Sequence, residues 1–116
     1  MNVVVLKGSL SSPPVERQLP SGDRIISYEV TTRGDAATAE SVPVVWLDAP
    51  VRGLQLPEGA EVVVTGRVRR RFFRANGATG SRTEVIATEV MAITQRRRVG
   101  KALDAAMATL DVDAWL

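Results

Sequence analysis

A small all-β barrel or sandwich is the architecture this sequence predicts, and three observations predict it. Runs of β-branched residues alternate in polarity across the first 94 residues, glycine- and proline-rich turn signals separate them at short intervals, and no sustained helical period interrupts them. At 116 residues the chain has the size of one domain with a modest core. A closed barrel would also remove the exposed edges that an open sheet has to protect.

Each element follows from local residue choice. Residues 2–10 (NVVVLKGSL) are a first strand, interrupted by Gly8, which inside a strand marks a bulge, a bend or a close backbone approach. The prolines of SSPP at 11–14 end its ladder, and VERQL at 15–19 is a short extension before the PSGD turn at 20–23. From Ile25 to Arg33 the alternation sets Ile26, Tyr28, Val30 and Thr32 on the more apolar face, as a half-buried antiparallel strand requires. Residues 34–40 (GDAATAE) read as a loop, and 41–49 (SVPVVWLDA) as a third strand with Val42, Val44, Trp46 and Asp48 on one face. The stretch 49–59 has room for a helical turn. The longest strand, 61–73, sets Val62, Val64, Gly66 and Val68 on one face and Glu61, Val63, Thr65, Arg67, Arg69, Arg71 and Phe73 on the other. NGATGSR at 76–82 is the turn of a hairpin, and 83–93 (TEVIATEVMAI) the returning strand. Tyr28 and Phe72 are assigned to the core by parity. After a basic QRRRV at 95–99 the composition turns Ala-rich; Leu103, Met107 (or Ala106) and Leu110 then fit an amphipathic helix of about three turns. The expected organisation is a β-domain over 1–95, followed over 96–116 by a basic linker and a short amphipathic tail.

Composition narrows the chemistry. With no cysteine and no histidine there is no disulfide, thiolate nucleophile, Cys/His zinc site or Ser-His-Asp triad. No cofactor, metal or catalytic residue is expected. Glu84 and Glu89, five apart on one strand, fall on opposite faces, and the Gly-x-x-Gly at 77–80 lacks the Lys-Ser/Thr sequel of a phosphate loop. No signal-like or membrane-spanning run is present, so a soluble cytoplasmic protein is the expectation. The net charge of +2 conceals a strong asymmetry. Residues 1–66 carry −3, residues 67–101 carry +8 and residues 102–116 carry −3. Nine of the ten cations in the middle block are Arg, whose planar fork suits phosphate and stacks on bases, which points to a polyanionic partner.

Five segments in order resemble the bacterial single-stranded DNA-binding proteins, the SSB family. They are MNVVVLKGSL at 1–10, P-x-V-E-R-x-L-P-S-G at 13–22, IISYEVTTR at 25–33, EGAEVVVTGRVRRR at 58–71 and TEVIATEV at 83–90. The resemblance implies a five-stranded OB-fold barrel with extended β-hairpins and a short C-terminal helical tail. It also implies a non-enzymatic homo-oligomer, tetramer or dimer, that binds single-stranded DNA without sequence preference in replication, recombination or repair, in the bacterial cytoplasm and nucleoid. Phe73 falls where the family commonly has a Trp. The family aromatics at the positions of Val42 and Asp48 are missing, and Trp46, between them and of the same parity, either replaces them or is a core or interface residue. The helix that the family carries between its third and fourth strands is shortened here, and its acidic tail ending in Pro-Phe is absent.

The candidate interface is therefore Arg67, Arg69, Arg71, Phe73 and Arg74 on the long strand, with Arg82, Arg33 and Trp46. In the tail, Asp111, Asp113, Trp115 and Leu116 form a candidate docking peptide for a replication or repair protein, the alternative being a helix packed on its own barrel or on a sister subunit. A rival from another class is an SSB-like paralogue acting as a protein-interaction adaptor of the primosomal kind, with weak nucleic-acid binding. RNA is a further possible ligand, since backbone charge and stacking do not distinguish the sugars.

Overall fold

The computed structural model describes residues 1–35 and 38–115, the side chain of Trp115 excepted. Its strands are β1 (Val4–Leu10), β2 (Val15–Gln18), β3 (Arg24–Arg33), β4 (Ala39–Leu47), β5 (Glu61–Ala75) and β6 (Ala78–Ala92). A 3-10 turn covers Val51–Leu54, and two helices follow, α1 (Arg96–Leu110) and α2 (Val112–Trp115). The strands form one sheet in the order β1-β5-β6-β4-β3-β2, and β1 also pairs with β3, so the sheet curls back onto its first strand. That closure is the OB-fold barrel; β2 hangs on the outer end of β3. Gly8 is the residue the closure needs, because a Cβ there would collide with the Thr31 carbonyl oxygen of β3.

The inward faces are those the alternation assigns. Leu10, Ile26, Tyr28, Val30, Val44, Trp46, Val62, Val64, Val85 and Val90 share one core. The Tyr28 hydroxyl donates to the Gly53 carbonyl at 2.8 Å, tying the 3-10 turn to the barrel. Burial pushes its phenol far above the usual value, against the opposing pull of the Arg52 charge, so it stays a donor. Trp46 is 5% exposed within this core, with Arg52 over its ring at 5.6 Å.

Three expectations need correction. Between Thr65 and Gly66 the β5–β6 register slips by one residue, leaving Thr88 as a bulge, so Glu89 faces Thr65 and stands on the same face as Glu84. The Thr88 hydroxyl pins the bulge by donating to the Thr65 carbonyl at 3.0 Å. Secondly, the strand β6 begins at Ala78, not near residue 83, because Asn76-Gly77 alone makes the turn, both at positive φ (54° and 78°). Thirdly, Arg96–Arg98 are the first turn of a 15-residue helix rather than a linker. The expected stripe keeps its phase, through Leu103, Ala106 and Leu110, which are all partly buried, and the earlier start extends it backward. Val99, Ala102 and Leu103 meet Val63, Met91 and Ile93 on the outside of the barrel, while Met107 is 64% exposed. Of the loop expected over 34–40, Ala36 and Ala37 lie outside the described residues, as does Leu116 of the tail.

Candidate nucleic-acid interface

Strands β5 and β6 are too long for the barrel they belong to. Their pairing runs on to Ala75 opposite Ala78, so the outer half projects as a two-stranded arm. The Asn2 amide marks the point of departure: its Nδ2 donates to the Val68 carbonyl at 2.6 Å and its Oδ1 accepts from the Val68 N–H at 2.9 Å. Beyond that point no side chain of β5 is buried.

Cross-strand register decides what each face of the arm presents. On one face Arg67, Arg69, Arg71 and Phe73 lie opposite Ile86, Glu84, Arg82 and Gly80. On the other, Arg70, Phe72 and Arg74 lie opposite Thr83, Ser81 and Thr79. Phe73 leans over the bare Gly80, whose added Cβ would come within 2.9 Å of the ring. Arg71 stands over the Phe73 ring at 5.8 Å and Arg70 over the Phe72 ring at 5.1 Å. The arm thus carries an aromatic ring with its own guanidinium on each face. Phe72, assigned by parity to the core, is instead 65% exposed, because the barrel ends before its position is reached.

The charges are organised around one carboxylate. Glu84 is 2% exposed; its Oε1 accepts from Arg69 at 2.8 Å and from Arg71 at 3.2 Å, while Arg82 stands 3.8 Å from its Oε2. Burial pushes the Glu84 carboxyl up, but the hydrogen bonds and charges of Arg69 and Arg71 outweigh it and hold the group below the usual carboxylate value. The anion fixes the guanidiniums in position and leaves net positive charge on the face. Arg82 also reaches Glu29 at 3.6 Å, across from β6 to β3, and Ser41 donates to the other Glu29 oxygen at 2.8 Å.

The structure gathers most of the predicted residues and separates one. Arg67, Arg69, Arg71, Phe73, Arg74 and Arg82 share the arm; Arg67 and Arg74 have no ion pair among the described residues. Arg33 is exposed at the far end of β3, the end of that strand turned toward the arm side by the parallel pairing of β4 with β6. Trp46 is removed from the set, since its ring fills the barrel and is closed to a base. Asp111 caps α1 in the left-handed conformation at φ 43° and Asp113 is exposed in α2. Residues that sequence reasoning missed are Phe72, Arg70 and Glu84. Counting outward from a two-residue Asn76-Gly77 turn pairs Arg69 with Glu84 and shows how far the arm extends.

Fold and surface together define a small β-barrel with a cationic, aromatic-tipped arm, the form of a binder of a polyanionic strand. The single-strand binding protein family model matches residues 1–93, and the chain belongs to that family, which is one of DNA-binding proteins and not of enzymes. Among solved structures the chain is similar to the Plasmodium falciparum SSB complexed with ssDNA. The TM-score is 0.68 at 20% identity, covering 79% of this chain and 94% of that one. At that identity the likeness speaks for the fold.

Proposed function

We propose that this protein binds single-stranded DNA without sequence preference through the β5–β6 arm. The observation that carries the reading is the pairing of exposed Phe72 and Phe73 with Arg70 and Arg71 on an arm of a family member. Only an unpaired base offers a free π-face to such a ring, and every base has one, so stacking favours single strands and tolerates any sequence. Each base–aromatic stack is worth about 1–3 kcal/mol, and each phosphate neutralised on a single strand contributes a log–log salt slope of about −0.7. Arg67, Arg70 and Arg74 have no carboxylate partner among the described residues, and Arg70 is engaged by the Ser81 hydroxyl and the Phe72 ring, which leaves Arg67 and Arg74 the most open to phosphate. With only two exposed aromatics on the described surface of one chain, wrapping a longer strand calls for several copies, a homodimer or homotetramer. The role this supports is protection of single strands during replication, recombination or repair.

The test is fluorescence anisotropy of a labelled oligothymidine at low and physiological salt, beside a duplex control and an oligouridine of equal length. Expected is salt-sensitive binding selective for the single strand. Flat salt dependence, or equal affinity for the duplex, would overturn the reading.

A further inference from the structure

Five cations that the arm does not use gather at the other end of β6. Arg96, Arg97, Arg98 and Lys101 from α1 and Arg52 from the 3-10 turn line one open cleft of about 760 Å³, together with Glu89. The single anion is paired through one oxygen, Arg52 bonding Glu89 Oε1 at 2.7 Å, while its buried Oε2 has no hydrogen-bond partner among the described residues. The four α1 cations are exposed and have no ion pair among the described residues.

Their placement works against the helix. The first turn of α1 holds no acidic residue, and Gln95 gives it no side-chain cap. Three guanidiniums crowd the positive end of the helix dipole, where cations are unfavourable, and repel one another at close range. An anionic partner relieves both effects. A groove leads there from the arm: a second cleft of about 350 Å³ between α1 and the β5–β6 sheet begins at Arg67 and shares Glu89, Ala102 and Ala105 with the first. Arg67 is itself the innermost cation on the Arg69/Arg71 face of the arm.

We propose that a DNA strand held by the arm continues past Arg67 along α1 and ends its contact on the Arg96–Arg98 turn, making this turn a second phosphate-binding site of the same chain. The proposal rests on the single-strand reading above. It extends the bound length and not the stacking, because the described cleft residues supply charge and no aromatic ring.

The test compares the wild-type protein with an Arg96→Ala, Arg97→Ala, Arg98→Ala variant. Alanine is the best helix former, so α1 is retained, and thermal melting confirms it. Binding is measured to oligothymidines of about 6 and about 30 nucleotides, the shorter lying near the low end of OB-fold site sizes. The variant is expected to bind the short oligomer within about twofold of wild type. On the long one it loses about tenfold, with a salt slope shallower by about 2, for three phosphates at about 0.7 each. If the triple variant melts early, Arg97→Gln with Lys101→Gln, one helical turn apart, repeats the comparison. Unchanged affinity and slope on the long oligomer would overturn the proposal and reassign the patch to an acidic protein surface. Equal losses on both lengths would also overturn it, placing the helix against the same nucleotides as the arm. Failure of wild type to bind either length would instead bring down the single-strand reading itself.

Discussion

The inner and outer halves of β5 are parts of one unbroken strand with opposite tasks. From Val62 to Thr65 four consecutive side chains are buried, two against the barrel core and Val63 against α1; from Arg67 to Phe73 none is. Both halves share the same hydrogen-bonded partner, β6. What separates them is what surrounds them: the inner half is also paired with β1 along its other edge and has the core on one face and a helix on the other, while the outer half has none of the three. The inner half therefore answers to packing and the outer half to charge and ring geometry. Substitutions in the first should change stability and leave affinity intact; substitutions in the second should do the reverse.

The largest effect is expected at Gly66, where the bulge brings the strands so close that a Cβ would strike the Ile86 carbonyl oxygen. Gly66→Val should cost about 3 kcal/mol of stability in a denaturant melt, as overpacked sites do. Intact stability would mean that the bulge is not where the two halves divide.

A smaller effect concerns Glu84. Its carboxyl is held below the usual range in the folded protein, so the folded state binds its proton less readily than the unfolded chain. The resulting stability is fully present above the unfolded carboxylate value of about 4.3 and is lost as pH falls through the lower folded value. Glu84→Gln should therefore be less stable than wild type at pH 7, and the gap should close in acid. Parallel acid limbs for the two proteins would show that the arginines do not hold the carboxylate in solution.

For the outer half, Arg67→Ala with Arg74→Ala should leave the melting curve in place and flatten the salt dependence of oligothymidine binding by about 1.4, two phosphates at about 0.7 each. An unchanged slope would remove these two residues from the interface. The smallest effect is expected at Met107, exposed on α1 away from both cores, where Met107→Ser should shift stability by about 0.5 kcal/mol or less.

Strand positions, the inward face of β3 and the run of Arg67, Arg69, Arg71 and Phe73 along one face were legible because a period of two is written directly in residue order. Alternation tells which residues share a face, but not whether anything covers it. That is why Phe72, on the face continuous with the core, emerges into solvent, while Trp46 is sealed inside. Nor does alternation survive a bulge: the extra residue at Thr88 puts Glu84 and Glu89 on one face despite their odd spacing. The start of α1 was hidden for an electrostatic reason. Three arginines and no acidic residue are the opposite of a helix N-terminal signal, and only the packing of Val99, Ala102 and Leu103 on Val63 and Met91 carries the helix back to Arg96.

The comparison between covered and uncovered strand halves is tested most directly by two aromatic variants titrated side by side with labelled oligothymidine, each also melted. Phe72→Ala with Phe73→Ala removes the exposed rings, and Trp46→Phe trims the buried one. The expected result is a loss of about tenfold or more in affinity for the first, at about 1–3 kcal/mol per stacked base, with its melting temperature held. For the second, affinity is unchanged and melting temperature falls. The reverse pattern, full affinity without Phe72 and Phe73 and weakened binding in Trp46→Phe, would contradict the account.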